Sequence, residues 1–322
     1  MPRSVNYNSA YNLIDLFEKF GDEDRCRLYL EKLRWPKGVQ CVRCQSLKIS
    51  RIKKRNQYHC DACNHTFSVK AGTIFHDSHL SLVKWFMAIF IISEAKKGVS
   101  ALQLKRTLHV TYKTAWYMCH RIREAVKDVD HCELLSGIVE CDETYVGGKA
   151  KFMHEDVKKR RGIGGKGYQR TAGKTMVMGA IQRRGDVRLK VGHAPSKEEL
   201  QAFIRAKIAD ECTSIMTDEN RSYDGVADHN TRHETVDHFK KEWVRGDVHT
   251  NTLENVWSLF KRSIIGSYHQ LSVKHMDRYL DEFEFRFNNR GNPYLFRDTL
   301  LNLLTTSNIE YKQLIGKKEK AA

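Results

Sequence analysis

An α/β fold, preceded by a small metal-stapled segment and a helical stretch, is predicted by three features of the 322-residue chain. From residue 137 onward, strand-like runs alternate with amphipathic helical runs. Two Cys-x2-Cys pairs stand well ahead of them, around a basic segment. Residues 80 to 127, between the two, carry helical periodicity. The length fits about two domains. The formal net charge is +16 and the pI about 9.4. This charge is interleaved with apolar and aromatic residues, which marks folded basic surface rather than a charged tail. Nucleic acid is therefore the first partner to consider, ahead of an acidic membrane surface. "WFMAIFII" (85–92) is too short to span a bilayer and sits in an amphipathic pattern. The amino terminus lacks a secretory apolar region, so a cytosolic protein is the default expectation. Nine cysteines then point to metal or free thiols rather than a disulfide framework.

The elements follow in order. Residues 1–40 form a helical lead: "YNLIDLF" has helical spacing, and "DEDRCRLYLEKLRW" runs from an acidic first turn to a basic last one before "PKG" breaks it. Residues 41–70 are short strand pieces between the paired cysteines. Residues 78–130 return to helix: "SLVKWFMAIFIISEA" is ended by Gly98, and "SALQLKRTL", "HV" and "TYKTAWYMCHRIREAV" read as helix, turn and helix. Residues 136–300 form the largest unit. It opens with a strand at 137–146, followed by a basic, Gly-rich loop at 149–174. A hairpin turns at "RRGD", and "SKEELQAFIRAKI" is a helix with a Ser cap and a Glu three residues on. The short strand "SIMTDEN" ends in acids, and helices at about 251–265 and 272–288 close the unit. Residues 301–322 are read as a tail.

Cys41, Cys44, Cys60 and Cys63 form two knuckles 15 residues apart. Four thiolates in a tetrahedron are what a structural Zn2+ prefers, and they leave no open position for catalysis. Cys26, Cys119, Cys132, Cys141 and Cys212 follow no ligand spacing and are read as small core residues. In the helix-turn-helix at about 99–126, Leu102, Leu104 and Leu108 face Trp116, Ile122 and Val126. Thr111, Tyr112, Lys113 and Thr114 then lead the second helix, with Lys113, Arg121 and Arg123 reaching bases or phosphates. Two packed helices of any bundle give a similar pattern.

"GIVECDETYVGG" places Glu140, Asp142 and Glu143 in a strand that reads as buried, where an uncompensated charge is costly. Asp142 on that strand, Asp218 at the end of "SIMTDEN" and Glu254 early in "NTLENVWSLFKRSII" are placed to converge on hard divalent cations, Mg2+ or Mn2+. At about 100° per residue, Glu254, Ser258 and Lys261 share one helix face with Asn251 at its margin, beside an apolar stripe of Leu253, Val256, Trp257, Phe260 and Ile264. Lys261 would then touch a phosphate. Glu143 points to the opposite face of the strand, and Glu140 lies about 7 Å behind Asp142 on the same face. A solvated Glu–Lys face is the bland alternative for the helix.

"LRWPKGVQCVRC…YHCDACNHTFSVKAGTIFHDSHLSLVKWF", "VECDETYVGGK", "MTDENRSYDG" and "VHTNTLENVWSLFKRSIIGSYHQLSVKHMDRYLDEFEFRFNNR", in this order over about residues 20–300, resemble the ISXO-type insertion-sequence transposases. These are DDE-type bacterial transposases related to the Merlin superfamily. The resemblance implies a zinc ribbon, a helical DNA-binding segment and a ribonuclease H-like catalytic core. It implies Asp142 and Asp218 as the first two metal ligands. At the third position the family has Asn or Glu followed by Lys, and Asn251 and Glu254 are both present. Glu254 is favoured as the better Mg2+ ligand, with Lys261 two turns later. Val42 replaces the usual Pro in the first knuckle, and Cys141 a commoner aliphatic residue; neither is a proposed ligand.

The activity implied is binding of the element's terminal repeats, cleavage of DNA and joining of the 3′ ends to target DNA. A homo-oligomer in the synaptic complex and a bacterial, nucleoid-associated location go with it. Lys158, Lys159, Arg160 and Arg161, in the basic loop after the first catalytic strand, are candidate DNA contacts, as are Trp116 and Tyr145. The alternatives are a metal-dependent nuclease or resolvase that only cuts, and a zinc-ribbon DNA-binding regulator with a decayed core.

Overall fold

The computed structural model describes residues 11–127, 133–148, 153–160, 173–193, 196–226, 231–236 and 244–316. The chain forms two compact units, Met1–Val129 with Asn289–Ala322, and Asp130–Asn288.

The first unit opens with α1 (Leu13–Phe20) and α2 (Glu23–Arg34), each started by a side-chain cap: Asn12, in a capping box with Asp15, and Asp22. Strands β1 (Ile49–Ile52), β2 (Gln57–Cys60) and β3 (Thr66–Phe67) form an antiparallel ribbon. α3 (Leu82–Glu94) buries Trp85, Phe86, Ala88, Ile89, Phe90 and Ile92, and the Glu23 carboxylate accepts from its Leu82 N–H at 2.7 Å. Each large apolar side chain buried there contributes about 1.5–3 kcal/mol, which makes α3 the centre of this core. The helix stops at Glu94, four residues before the expected Gly98. α4 (Ala101–Leu108) and α5 (Tyr112–Ala125) are capped by Ser100 and Thr111 and joined by a short turn with His109 at φ 49°.

The second unit is built on a five-stranded mixed sheet of order β6-β5-β4-β7-β8. Its first elements are β4 (Ile138–Val146), α6 (Glu155–Arg160), β5 (Thr175–Gln182), β6 (Val187–Gly192) and α7 (Lys197–Lys207). β7 (Ser214–Asp218), β8 (Arg232–Val236), α8 (Asn251–Ser263) and α9 (Met276–Asn288) complete it. β4, β5 and β6 run antiparallel, whereas β7 lies parallel to β4 and β8 parallel to β7. This arrangement agrees with the ribonuclease H-like expectation. Leu200, Phe203 and Ile204 of α7 pack with Val139, Cys141 and Ile215; Leu253, Val256, Trp257 and Phe260 of α8 pack with Val177, Ile181 and Leu189 and with α9. The sheet is thus covered by α7 on one face and by α8 and α9 on the other.

The chain then returns to the first unit through α10 (Leu295–Thr305) and α11 (Tyr311–Ile315). Leu295, Phe296, Leu300, Leu303 and Leu304 are buried in the core around α3, and the Phe296 ring meets Tyr11, Phe20, Phe86 and Phe90. This corrects two boundaries. The catalytic unit closes at Asn288 rather than 300, and residues 301–316 are not a tail. An amphipathic helix announces a buried face but not which core receives it. Among the described residues, no helix is long and apolar enough to cross a membrane.

Candidate metal centre and active site

Cys41 and Cys60 open two knuckles of the same build. The N–H of the residue four positions on returns to each cysteine carbonyl, from Gln45 and Asn64, both at 2.9 Å. Each cysteine N–H in turn reaches the carbonyl five positions on, Ser46 at 3.0 Å and His65 at 2.9 Å. Gln45 and Asn64 take the left-handed conformation, φ 60° and 55°, that folds the chain back so tightly. The four sulfurs consequently lie within 4.8 Å of one another, with Cys41–Cys63 at 3.6 Å and Cys44–Cys60 at 3.5 Å. Those spacings are far too long for disulfides. They suit a tetrahedron around Zn2+, whose edge is about 3.8 Å for a Zn–S bond of about 2.3 Å. Four thiolates with no carboxylate or water position are the donor set of a structural zinc.

In the second unit, β4 pairs with β7 so that Glu140 stands opposite Met216. Two residues further along each strand come Asp142 and Asp218, the last residue of β7, close enough for the Asp218 charge to act on Asp142. Alternation along β4 then sorts the acids. Asp142 turns toward α8, where its Oδ2 accepts from Trp257 Nε1 at 2.9 Å. Glu140 turns the same way and accepts from Thr252 N at 2.8 Å and Leu253 N at 3.0 Å. Glu143 turns to the other face, where Asn220 Nδ2 and Tyr223 Oη each donate to it at 2.7 Å. That pair of bonds ties the turn after β7 to β4, and the Asn220 N–H also donates to Asp218 Oδ1 at 3.1 Å.

Burial, followed by the charges of Glu143 and Asp218, pushes Asp142 up to about 8 against the lowering effect of the Trp257 bond. Burial likewise raises Glu143, with the Tyr223 bond opposing it and the Asp218 charge adding to it. A crowded carboxylate that resists ionisation is what a divalent cation relieves, so Asp142 has the surroundings of a hard-ion ligand.

Gly179, which pairs with Asp142 across β4 and β5, makes the Trp257 contact possible. A Cβ there would stand 2.6 Å from two ring carbons of the indole. Neither Trp257 nor Gly179 was singled out from the sequence for the site. The signal available was a glycine inside a strand, a mark of close approach.

Asn251, Glu254 and Lys261 are exposed on α8, with Glu254 one turn before Trp257 and Lys261 one turn after it. Among the described residues the four cysteines are the only group of three or more His, Cys, Asp or Glu side chains set to hold an ion. Asp142, Asp218 and Glu254 therefore do not meet as a closed trio. Lys158 lies on α6 and pairs with Glu155 at 2.6 Å, and Lys159 beside it is exposed. Arg161 lies outside the described residues, as does the side chain of Arg160. Tyr145 is half-buried with its hydroxyl on Met176 Sδ.

On α5 the expectation for two arginines is corrected. Arg121 and Arg123 are only 3% and 2% exposed. Arg121 lies over the Trp85 and Tyr117 rings and donates to the His76 carbonyl. Both are part of the helical core and neither is displayed to a DNA groove. Lys113 is exposed, with its ammonium 4.4 Å from the Tyr311 ring centroid. Trp116 is half-buried against His120 and Tyr311.

Residues 134–288 match the ISXO2-like transposase domain, and residues 21–66 match the transposase zinc-ribbon domain. A protein of the transposable element ISH50 from Halobacterium salinarum, itself described as uncharacterized, is 31% identical over 83% of this chain and 91% of its own length. That source is archaeal, so the likeness does not carry the expected bacterial host. A solved pre-cleavage Mos1 transpososome is matched at 13% identity over 69% of this chain and 79% of that one, with a TM-score of 0.26, too low to bear on the fold. Taken with the cysteine knuckles and the sheet, these matches show that the chain belongs to the ISXO2-like DDE transposases, enzymes of insertion sequences with an amino-terminal zinc ribbon.

Proposed function

We propose that the protein binds the ends of its element, cleaves there and joins the freed 3′ ends to target DNA by in-line phosphoryl transfer. One observation carries this reading: Asp142, midway along β4, and Asp218, at the end of the adjacent parallel strand β7, belong to the sheet covered by α8, the helix that bears Glu254 and Lys261. Asp142, Asp218 and Glu254 would hold two Mg2+ or Mn2+ ions, which supply activation of the attacking oxygen and charge neutralisation at the leaving one. Lys261, one turn past Trp257, faces the scissile phosphate in this reading. Trp257 keeps one Asp142 oxygen occupied and leaves the other for the metal.

Recognition of the ends is assigned to the first unit. The turn between β1 and β2 exposes Lys53, Lys54 and Arg55, and the first turn of α5 exposes Tyr112 and Lys113. Both suit phosphate contact, and the α4–α5 pair is read as a helix-turn-helix. Lys158 and Lys159 are assigned to DNA near the active site, and the synaptic complex is taken to be a homo-oligomer.

The test is incubation of the full-length protein with labelled terminal-repeat DNA, a target plasmid and Mg2+. A transposase yields a joined product, and omission of Mg2+ or addition of EDTA abolishes it. Cutting without joining would identify a nuclease, and specific binding without cutting a regulator.

A further inference from the structure

We infer that Glu140 is a positioning residue of this active site: its carboxylate caps α8 from the neighbouring strand and sets where Glu254 stands relative to Asp142. The inference rests on the two-ion reading above.

Glu140 is 0% exposed. A buried acid normally has a cation or several donors around it, and this one has both. Oε2 accepts from the Thr252 N–H at 2.8 Å and the Leu253 N–H at 3.0 Å. Oε1 accepts from Thr252 Oγ1 at 2.8 Å and Arg183 Nε at 2.8 Å, with His249 Nδ1 at 3.3 Å. Arg183 also donates through Nη2 to the His249 carbonyl at 3.1 Å, just before the helix begins. The first backbone N–H groups of a helix have no partner inside it. Here Thr250, the residue in the cap position, makes no side-chain cap bond. The cap comes instead from β4, more than 100 residues earlier in the chain.

A second tie runs from Asp142 to Trp257. The two ties are matched in length. From Glu140 to Asp142 is two strand residues, about 6.7 Å. From the middle of Thr252–Leu253 to Trp257 is about 6.8 Å of helix rise. The helix is therefore laid along the strand in one register, and Glu254 falls between the two ties. An amide at position 140 would turn a donor toward groups that are themselves donors, whichever way it is flipped. Glu140→Gln keeps the size of the side chain and destroys the arrangement.

The experiment is Mn2+ binding to purified full-length variants, followed by electron paramagnetic resonance without DNA, with thermal melting in parallel. Loss of a group that orients metal ligands weakens binding about 10–100-fold, and that is expected for Glu140→Gln. The double variant Glu140→Gln, Glu254→Gln should bind no more weakly than Glu254→Gln alone, because the two act through one ligand. A purely structural acid would lower the melting temperature and leave the Mn2+ affinity of the folded protein unchanged. Thr252→Val removes only the hydroxyl tie, so it stays folded if Glu140→Gln does not, and it should weaken Mn2+ binding several-fold. Parent-like Mn2+ binding by both Glu140→Gln and Thr252→Val, or by Thr252→Val where Glu140→Gln does not fold, would overturn the proposal while leaving the metal site standing, provided Asp142→Asn loses the ion. Normal Mn2+ binding by Asp142→Asn would overturn the two-ion reading, and the proposal with it.

Discussion

Gly179→Ala should damage both stability and catalysis, although alanine is ordinarily the better residue inside a strand. The added Cβ would sit 2.6 Å from Cη2 and Cζ2 of Trp257 and 3.1 Å from Leu189 Cδ2. Carbon atoms pack at about 3.5–4.0 Å, so the indole must retreat by about 1 Å. Leu189 can rotate away, but a buried indole cannot. A retreat of that size takes Nε1 from its present 2.9 Å out of hydrogen-bond range of Asp142. Overpacking costs about 1–3 kcal/mol and a lost bond to a charged acceptor about 1.5–3 kcal/mol. The entropic advantage of alanine offsets only about 0.4–1 kcal/mol. Net destabilisation of about 1.5–5.5 kcal/mol follows, a fall of about 3–22 °C in melting temperature. Differential scanning calorimetry reads the first effect, and Mg2+-dependent nicking of an end-containing duplex reads the second. Adding Trp257→Leu to Gly179→Ala should recover most of the stability and none of the cleavage, since the room returns and the N–H does not. A Gly179→Ala protein that melts and cleaves like the parent would refute the role given to this contact.

Four further outcomes are expected. Purified protein should carry about one equivalent of zinc by metal analysis, and the Cys60→Ser, Cys63→Ser variant should lose it; retention would break the assignment of the ribbon. Asp142→Asn, Asp218→Asn and Glu254→Gln should each abolish nicking while DNA binding survives, because the set acts as one unit. If Glu254→Gln nicks normally and Asn251→Ala does not, the third ligand is Asn251. Arg121→Ala should destabilise by about 2–4 kcal/mol through its lost ring and carbonyl contacts, whereas Lys113→Ala should leave the melting temperature alone and reduce the salt slope of DNA binding by about one.

The parts of this molecule that were legible in the sequence are those whose spacing carries the geometry. Two Cys-x2-Cys pairs fix four sulfurs, and the structure gathers them. Period-two alternation separates Asp142 from Glu143, and their hydrogen bonds go to opposite faces of the sheet. What stayed hidden depends on neighbours distant along the chain. Arg121 and Arg123 read as surface charge because nothing local announces that Trp85 and the His76 carbonyl will enclose the first of them. α10 carries a clear apolar face, yet its partners Phe20 and Phe86 lie more than 200 residues away along the chain. β8 was not predicted, and "RHETV" has only one fully buried position to mark it.

The cluster of acids in β4 looked like a single problem of buried charge and has three separate solutions. Glu140 is neutralised by Arg183 and saturated by the start of α8. Glu143 is held by two neutral donors, Asn220 and Tyr223, and so orders the turn that follows Asp218. Asp142 has a single side-chain donor, two neighbouring carboxylates and, like Glu143, a raised affinity for protons. A group that binds a proton too readily for want of positive charge is also the group that gains most from a divalent ion. In the two-ion reading proposed above, the uneven sharing of donors along these four residues of strand leaves Asp142, the acid with the fewest side-chain donors, as the ligand of β4, and gives the other two the task of holding α8 and the β7 turn around it.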